Sequence, residues 1–476
     1  MRINMEKKNT WETYSSKQLK ELEKINAQYR DFLDNGKTER ECIDTIVNTI
    51  EKSGYRELES LIKEGAALKT GDKVYSVWMN KSIAMFQIGR KPMTEGMNIL
   101  GAHIDSPRLD VKQNPLYEDG GFAYLDTHYY GGVKKYQWVT IPLAIHGVIV
   151  KKDGTCVEIN IGENEDDPVF FVSDLLIHLA QEQLEKKAAK VIEGEALDII
   201  VGNKPLLIDK KDKKKDEKEA GKEAVKAGVL DILKETYDIS EEDFVSAELE
   251  IVPAGKAREA GFDRSMILAY GQDDRVCAYT SMQAMLDSDV TDRTMCCILV
   301  DKEEIGSVGA TGMQSHFFEN AVAELMNLTG EYSELHVRRC LAHSCMLSSD
   351  VSSAFDPTYA SSFDKKNVAY LGGGMVINKF TGARGKSGSN DANAEYLAHL
   401  RHIFDKAEVN FQTAELGKVD LGGGGTIAYI LALYGMNVID SGVAVLNMHA
   451  PWEATSKADV YETYRGYKAF VEGASL

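Results

Sequence analysis

The chain has 476 residues, enough for two or more domains, and its 43% hydrophobic and 27% charged residues are typical of a soluble globular protein. Its 55 basic and 74 acidic side chains give a net charge of −19, which argues against nucleic acid or an anionic membrane surface as the main partner. The seven cysteines form no Cys-x-x-Cys pair, and residues 1–10 contain no apolar signal-peptide segment. We therefore expect a cytoplasmic protein with buried thiols.

Two helices are predicted at the start of the chain. Apolar residues recur at helical intervals over residues 17–34, and Thr38 with Glu41 forms a capping-box pattern for a second helix that ends near Gly54. Short apolar runs follow, each closing on a polar cluster, at residues 98–103, 266–270, 294–300 and 443–449. From about Val276 onward, helical patterns alternate with these runs. This rhythm predicts an α/β domain with a largely parallel, buried sheet.

The middle of the chain, residues 107–252, has a different texture. Strand patterns rich in aromatic and β-branched residues occupy residues 124–130, 136–150 and 156–161. A dense run of both charge signs at residues 209–218 is expected to form a solvated loop, because mixed charges cannot bury a core. We interpret the middle as an inserted β-rich domain that divides the α/β domain into residues 1–106 and 253–476.

Charged side chains stand where the apolar runs end. Glu303 and Glu304 follow the run 294–300, and adjacent carboxylates repel each other unless a cation or a proton-transfer task keeps them together. A solvated turn is the alternative. His103 ends another run, and Asp105, two residues on, lies on the same side of an extended chain, where it can orient the histidine.

Asp273 and Asp274 end a further run. Such a pair suits a carboxylate that bridges two divalent ions, although a helix N-terminus also favours aspartate. The full set of strand-end candidates is His103, Asp273, Glu304, Asp350 and His449. Because ligands gather beyond the carboxyl ends of strands in open α/β sheets, these side chains are predicted to meet. Their nitrogen and oxygen atoms suit a pair of zinc, cobalt or manganese ions, with Glu303 left to take a proton from a metal-activated water.

The segments that carry these side chains keep one order along nearly the whole chain: residues 103–110, 129–132, 141–146, 272–275, 301–307, 349–351 and 448–450. Together they resemble the family of aspartyl aminopeptidase and vacuolar aminopeptidase I. The resemblance implies a two-metal exopeptidase that removes single residues from peptides with a free N-terminus. It also implies an α/β/α sandwich peptidase domain, interrupted by a dimerisation domain, in a homododecamer built from dimers.

Carried onto the matching positions, the resemblance divides the ligands between two divalent ions, expected to be zinc. One ion would be held by His103, Asp273 and Asp350, and the other by Asp273, Glu304 and His449. Glu303 would act as general base and then as acid, while Asp105 would orient a ligand. His146 matches a histidine that, in relatives, reaches the active site of a neighbouring subunit and helps to hold the substrate.

Glycine-rich segments are candidates for substrate binding. Lys379 and Arg384 lie in a basic loop that would line a pocket for an acidic side chain or for the C-terminal part of a peptide; a solvated loop is the alternative. Residues 371–374 and 422–425 lack the Gly-Lys-Ser/Thr of a phosphate loop, so we interpret them as turns or as places where the backbone approaches a substrate closely.

Two other function classes stay open at this point. A di-metal deacylase or carboxypeptidase on the same core would process substrates with a blocked amine, on which an aminopeptidase fails. A non-catalytic oligomeric cargo or binding protein would keep the fold without hydrolysis. Within the family that the chain resembles, members divide between acidic and neutral apolar N-terminal residues, and both preferences stay open.

Overall fold

The computed structural model describes residues 9–206 and 223–475. These residues divide into two compact units. The first comprises residues 9–106, 257–448 and 452–475, and the second comprises residues 107–256 with 449–451. The charged run at 209–218, for which a solvated loop is predicted, lies outside the described residues. Within the described ranges, no helix is both long and apolar enough to cross a lipid bilayer.

The helices and strands are numbered here in chain order. The strands are β1 Arg56–Glu57, β2 Lys73–Trp78, β3 Ser82–Gln87, β4 Met97–His103, β5 Arg108–Asp119, β6 Phe122–Tyr130, β7 Leu143–Val150, β8 Cys156–Ile161, β9 Ile199–Gly202, β10 Ala247–Pro253, β11 Arg258–Ala260, β12 Met266–Ala269, β13 Thr294–Val300, β14 Cys345–Ser349, β15 Ser352–Ser353, β16 Met375–Asn378, β17 Phe411–Thr413, β18 Asn437–Gly442, β19 Ala444–Leu446 and β20 Glu453–Ser456. The helices are α1 Ser16–Asn35, α2 Glu39–Glu51, α3 Leu58–Glu64, α4 Gln181–Leu184, α5 Ala188–Val191, α6 Ala224–Tyr237, α7 Gln272–Leu286, α8 Phe317–Leu328, α9 Glu334–His343, α10 Ala394–Lys406, α11 Ala428–Ala432 and α12 Lys457–Gly473.

The predicted opening helices form where the sequence places their caps. Ser15 caps α1, and the Thr38 hydroxyl accepts the Glu41 backbone N–H at 3.2 Å while the Glu41 carboxylate accepts the Thr38 N–H at the same distance. This reciprocal pair satisfies two backbone donors that the first turn of α2 would otherwise leave without a partner. Local capping chemistry therefore sets both helix starts.

A nine-stranded sheet forms the centre of the first unit, in the order β1-β2-β3-β13-β4-β14-β18-β16-β17. Its central strands β13, β4, β14 and β18 are mutually parallel, whereas β3 and β16 pair with them in antiparallel fashion. A smaller sheet, β11-β12-β20-β19-β15, belongs to the same unit. The α/β class predicted from the sequence is confirmed.

Helices pack on both faces of the central sheet. Leu100 and Leu347 join an apolar cluster with residues of α1, α2, α7 and α12, whereas their neighbours Ile99 and Met346 join a second cluster with residues of α8, α9 and α11. Since successive side chains of a strand point to opposite faces, central strands that are buried on both sides need apolar residues at every position. This explains the uninterrupted apolar runs in the sequence.

One predicted strand of the first unit is wrong in its extent. Residues 443–449 do not form a single strand, because the chain leaves the central sheet after β18 and enters the smaller sheet as β19. Asn447 and His449 then adopt left-handed backbone conformations, with φ of 61° and 65°. The apolar run therefore covers two short elements and a turn.

The second unit contains a six-stranded antiparallel sheet in the order β8-β7-β10-β5-β6-β9. The predicted strand 136–150 is wrong in its first half. A 3-10 turn occupies Lys135–Gln137, Thr140 has a left-handed φ of 61°, and the strand begins only at Leu143. Trp138, which the sequence pattern assigns to a strand, is instead a fully buried anchor of this loop.

Candidate metal centre

The polar side chains of the first unit meet where parallel strands end. β4 ends at His103, β14 ends one residue before Asp350, and the 3-10 turn Glu303–Ile305 follows β13 closely. Because β4 lies between β13 and β14 and is parallel to both, the three carboxyl ends share one edge of the sheet. Asp273 joins them at the start of α7, where Asp273 and Asp274 are not yet helical.

Two groups of potential ligands form at this edge. His103, Asp273 and Asp350 each offer one ligand atom, and these atoms all lie within 4.8 Å of one another. Asp273, Glu304 and His449 form a second group by the same measure. The two groups share Asp273, which therefore offers a ligand atom to both.

The hydrogen bonds of His103 set its tautomer. Its Nδ1 lies 3.0 Å from the Asp105 carbonyl oxygen and 3.3 Å from Asp105 Oδ1, so Nδ1 carries a proton and donates it. Nε2 then presents a lone pair to Asp273 Oδ1, 3.4 Å away. Two electron-pair donors that face each other at this distance need a proton or a cation between them. The pair therefore fits a shared metal ion.

His449 is oriented in a similar way. Its Nδ1 lies 3.0 Å from the Gly132 carbonyl oxygen, which can only accept, so Nδ1 again carries the proton and Nε2 is left as the ligand atom. A side chain at position 132 would crowd this contact, since a Cβ there would lie 3.1 Å from His449 Nδ1. Both histidines thus present an unprotonated Nε2, and an unprotonated ring nitrogen is what a metal ion binds.

Asp105 links the end of β4 with the turn that follows β13. Its Oδ1 accepts the Glu303 backbone N–H and its Oδ2 accepts the Glu304 backbone N–H, each at 3.1 Å. The same carboxylate faces the His103 ring. Asp105 is fully buried, and its interactions fix both the imidazole and the turn that carries the two glutamates.

The Asp350 carboxyl is crowded enough to resist ionisation by itself. Burial, together with the nearby charges of Asp274 and Glu303, raises the pKa of Asp350 well above its ordinary value. Burial opposes a charge on His103, yet the carboxylates of Asp105 and Asp273 prevail and raise the pKa of the imidazole. Each shift expresses a demand for positive charge among these groups, and a divalent cation would supply it. The donor set therefore fits a divalent cation.

Several supporting residues were not found by sequence reasoning. The Glu453 carboxylate accepts the Asp273 backbone N–H at 3.0 Å, and the Ser106 hydroxyl donates to the Asp273 carbonyl at 2.7 Å. On β18, Asp440 accepts the Thr426 hydroxyl at 2.6 Å, and burial raises the pKa of Asp440 to about 7. Glu453 starts β20, so an acidic residue within a buried strand was the available signal.

None of the predicted substrate-binding residues is a member of the two ligand groups. His146, on β7 of the second unit, is buried and pairs through Nε2 with Glu163 Oε1 at 3.0 Å. In the first unit, the Lys379 ammonium pairs with Asp391. Arg384 is exposed and lines a cavity that also includes Lys386 and Lys418.

Comparisons with known proteins agree with this architecture. The family description "Aminopeptidase I zinc metalloprotease (M18)" matches residues 32–471. A curated protein of Clostridium acetobutylicum named "Probable M18 family aminopeptidase 1" is 63% identical over 466 residues, which is 98% of each chain. The crystal structure of an M18 family aminopeptidase from Thermotoga maritima is 44% identical with a TM-score of 0.92, covering 99% of this chain and 100% of that one.

A more distant structure shares the fold. The mApe1 dodecamer of S. cerevisiae is 20% identical, with a TM-score of 0.74, and the match covers 95% of this chain and 97% of that one. The fold and the family match define a metal-dependent hydrolase of the α/β class. The chain belongs to the M18 family, and it is a zinc metalloaminopeptidase.

Proposed function

We propose that this metalloaminopeptidase uses two divalent ions per subunit, held by the two ligand groups that share Asp273. The main observation in support is that both groups contain the buried carboxylate of Asp273. It lies within 4.8 Å of the ligand atoms of His103 and Asp350, and equally of those of Glu304 and His449. When bound, such ions supply Lewis-acid activation of the scissile carbonyl and of a water molecule. The carboxylate-rich edge also favours a substrate with a free amino terminus.

Glu303 is proposed as the proton carrier. It lies beside the ligand Glu304 on the same turn, yet belongs to neither ligand group. Its carboxylate would accept a proton from the attacking water and deliver it to the departing amine, as a general base and then a general acid. The two hydrogen bonds to Asp105 fix the turn. Glu303 is therefore held at the edge through its backbone, and its carboxylate does not have to bind metal to stay there.

Asp105 acts in this proposal as a positioning residue. It holds His103 with Nε2 toward the ligand groups and aligns Glu303 and Glu304 through their backbone. Lys379, Arg384 and His146 are proposed to contribute to substrate binding, His146 from a neighbouring subunit. Their assignment rests on the resemblance and, for Arg384, on the cavity that it lines.

We propose a homododecamer built from dimers, to which the second unit contributes contacts. The support is the dodecamer known for the yeast relative and an exposed apolar segment in the second unit. Within this segment, residues 175–184, the large apolar side chains exposed by roughly half or more are Leu175, Leu176, Ile177, Leu179 and Leu184. Exposed apolar surface of this kind marks protein contacts. Sedimentation of the wild type and of an Ile177→Asp/Leu179→Asp variant tests this, with a smaller particle expected for the variant and an unchanged particle contradicting it.

The catalytic proposal is tested on a panel of aminoacyl p-nitroanilides. The protein is stripped with a chelator and reloaded with zinc, cobalt or manganese at measured stoichiometry. Activity should return as the metal content approaches two ions per subunit, and N-acetylated versions of the same substrates should not be cleaved. Full activity at one ion per subunit, or equal cleavage of the acetylated substrates, would contradict the proposal.

A further inference from the structure

A second cavity of the first unit is lined by residues of β2, of α3, and of α8 with the loop that precedes it. Its volume is about 380 Å³, and none of its lining residues belongs to the two metal-ligand groups. A space of this size holds about a dozen water-sized groups, which is enough for a small organic molecule. We call it the Trp78 cavity, after the exposed aromatic residue in its lining.

An aromatic platform forms one wall of this cavity. The Trp78 indole stacks on the Phe317 ring, with 6.1 Å between the ring centroids and 22° between the ring planes. Phe317 is buried in the apolar cluster that also contains residues of α9, whereas Trp78 keeps 43% of its surface exposed. A stacked indole that stays this exposed has a free π surface, and a cation can bind there.

A tight turn fixes the position of the indole. The Lys81 backbone N–H donates to the Trp78 carbonyl at 3.0 Å, and the two residues between them, Met79 and Asn80, have left-handed φ values of 51° and 54°. Two successive positive φ values are typical of a type I′ turn, which matches the twist of the two strands that it joins. Trp78 is therefore ordered at the base of the β2–β3 hairpin before a ligand arrives, and this lowers the entropic cost of binding.

The charged side chains of the Trp78 cavity are acidic. Glu57, Glu59 and Glu324 line it, whereas no lysine or arginine is among its lining residues in the described part of the chain. Glu59 is neutralised by Lys63 at 3.0 Å. Glu57 accepts the Ser60 hydroxyl at 2.6 Å, but among the described residues neither Glu57 nor Glu324 has a basic side chain within 4.0 Å. Two carboxylates without a counter-ion, beside an open indole, favour a positively charged ligand.

The same lining disfavours a ligand that carries a carboxylate. The histidine of the lining, His316, already faces a carboxylate, with its Nδ1 3.3 Å from Glu319 Oε2. A free amino acid would bring its own carboxylate close to Glu57 and Glu324, and like charges repel each other. The apolar part of the lining, which includes Ile62, instead suits the methylene stem of an amine or a guanidine.

We propose that the Trp78 cavity binds an organic cation that lacks a carboxylate, of the alkylamine or guanidine class. The positive group would lie over the Trp78 indole, and the Glu57 and Glu324 carboxylates would accept hydrogen bonds from its N–H groups. The methylene stem would displace water from the apolar part of the cavity. This binding site is separate from the proposed catalytic function, because none of its residues has a role in hydrolysis.

The test compares two probes that differ in one group. The first is n-butylguanidine, and the second is 4-guanidinobutyrate, in which a carboxylate replaces the terminal methyl group. Neither has a free amine that could imitate a peptide N-terminus. Titration calorimetry on the metal-loaded wild type should show one butylguanidine per subunit with a Kd on the order of 10⁻⁴ M, and at least about tenfold weaker binding of guanidinobutyrate. Equal affinities, or no binding of butylguanidine up to about 10 mM, would overturn the proposal.

Two changes within the cavity locate the binding. Trp78→Leu removes the π surface and should raise the Kd of butylguanidine about fivefold, whereas Trp78→Phe keeps an aromatic ring and should stay within about threefold of the wild type. Glu57→Gln/Glu324→Gln keeps the size of both side chains and should raise the Kd about tenfold. This glutamine variant leaves the hairpin and its stack untouched, so it decides the question even where Trp78→Leu fails to fold.

The control variant is Glu235→Gln/Glu395→Gln, which removes the same two charges from exposed positions of α6 and α10, outside the cavity. It should bind butylguanidine as the wild type does. This control separates a local site from the general attraction of cations to a protein of net charge −19. Wild-type affinity in Glu57→Gln/Glu324→Gln, or an equal loss of affinity in the control, would overturn the site.

Discussion

His103, Asp105 and Asp273 of the metal-binding edge lie in the first unit, as does the cavity lined by residues 380–386 and 415–423 (the 380–423 pocket), yet the chain builds the two regions differently. At the edge, His103, Asp105 and Asp273 are almost fully buried and each is held by several partners. At the pocket, Arg384 and Lys418 are exposed and reach into solvent from loops. A charge that is buried away from water is stable only beside a fixed opposite charge, whereas an exposed charge is stabilised by water and stays available to a ligand.

This difference separates the expected effects of substitution. A buried ligand cannot be replaced by water without losing the geometry of its neighbours, so its removal is expected to abolish the chemistry. A solvated cation is worth a few-fold to about tenfold in the use of one class of substrate. Variants at the edge should therefore act on all substrates alike, and variants at the pocket should discriminate among them.

The largest effect is expected for Asp273→Ala. Because Asp273 belongs to both ligand groups, its loss should remove both ions and lower kcat/KM by on the order of 10⁴-fold on every substrate. Metal content by mass spectrometry and rates on leucyl p-nitroanilide would measure this. Asp292→Ala, which removes a carboxylate 66% exposed, is the matched control. Retention of two ions per subunit by the Asp273 variant would break the assignment.

A smaller effect is expected for Asp105, which touches the ligand His103 rather than serving as a ligand in the proposal. Asp105→Ala should weaken metal affinity by about 10–100-fold, the usual cost of losing a residue that orients a metal ligand. Asp105→Asn keeps one oxygen as an acceptor and should lose less. Competition with a chelating dye would measure both affinities, and Asp110→Ala, at a half-exposed carboxylate, is the comparison. Wild-type affinity in the alanine variant would contradict the role.

The smallest effect at the edge is expected for Glu453, which acts through the Asp273 backbone. Glu453→Ala removes the acceptor of the Asp273 N–H and should lower kcat/KM by roughly tenfold. Glu453→Gln retains an oxygen at the same place, so its kcat/KM should stay within about threefold of the wild type. Rescue by glutamine is the decisive comparison. Equal losses in the two variants would assign Glu453 to packing or charge instead.

The residues of the metal-binding edge are easier to predict from the sequence than those of the pocket, for a physical reason. Parallel strands must be apolar where they are buried, so the first charged residue after each run marks the place where the strand ends. This rule places His103, Asp350 and the Glu303–Glu304 pair at or just after strand ends, and the structure has them there. Residues of the pocket follow no such period, and the pairing of Lys379 with Asp391 depends on how two loop positions meet in space.

Two strands that the sequence predicts are too long, because a composition pattern does not show where the backbone turns. Residues 136–142 and 447–449 have strand-like or apolar composition, but left-handed φ values at Thr140, Asn447 and His449 end the extended chain there. In the second case the turn is functional in the proposal, because it carries His449. Glu453 carries one signal, an acidic residue within a buried strand, but its partner is a backbone N–H distant in the sequence, which no spacing pattern indicates.

The central claim is that the adjacent glutamates have different tasks, Glu304 holding metal and Glu303 moving a proton. The most direct measurement is the metal content and kcat of Glu303→Gln and Glu304→Gln, prepared and loaded in parallel. We predict that Glu303→Gln keeps the wild-type metal content and loses about 10²–10⁴-fold in kcat, whereas Glu304→Gln loses bound metal as well as activity. Near-normal kcat in Glu303→Gln, or loss of metal in both variants alike, would contradict the account.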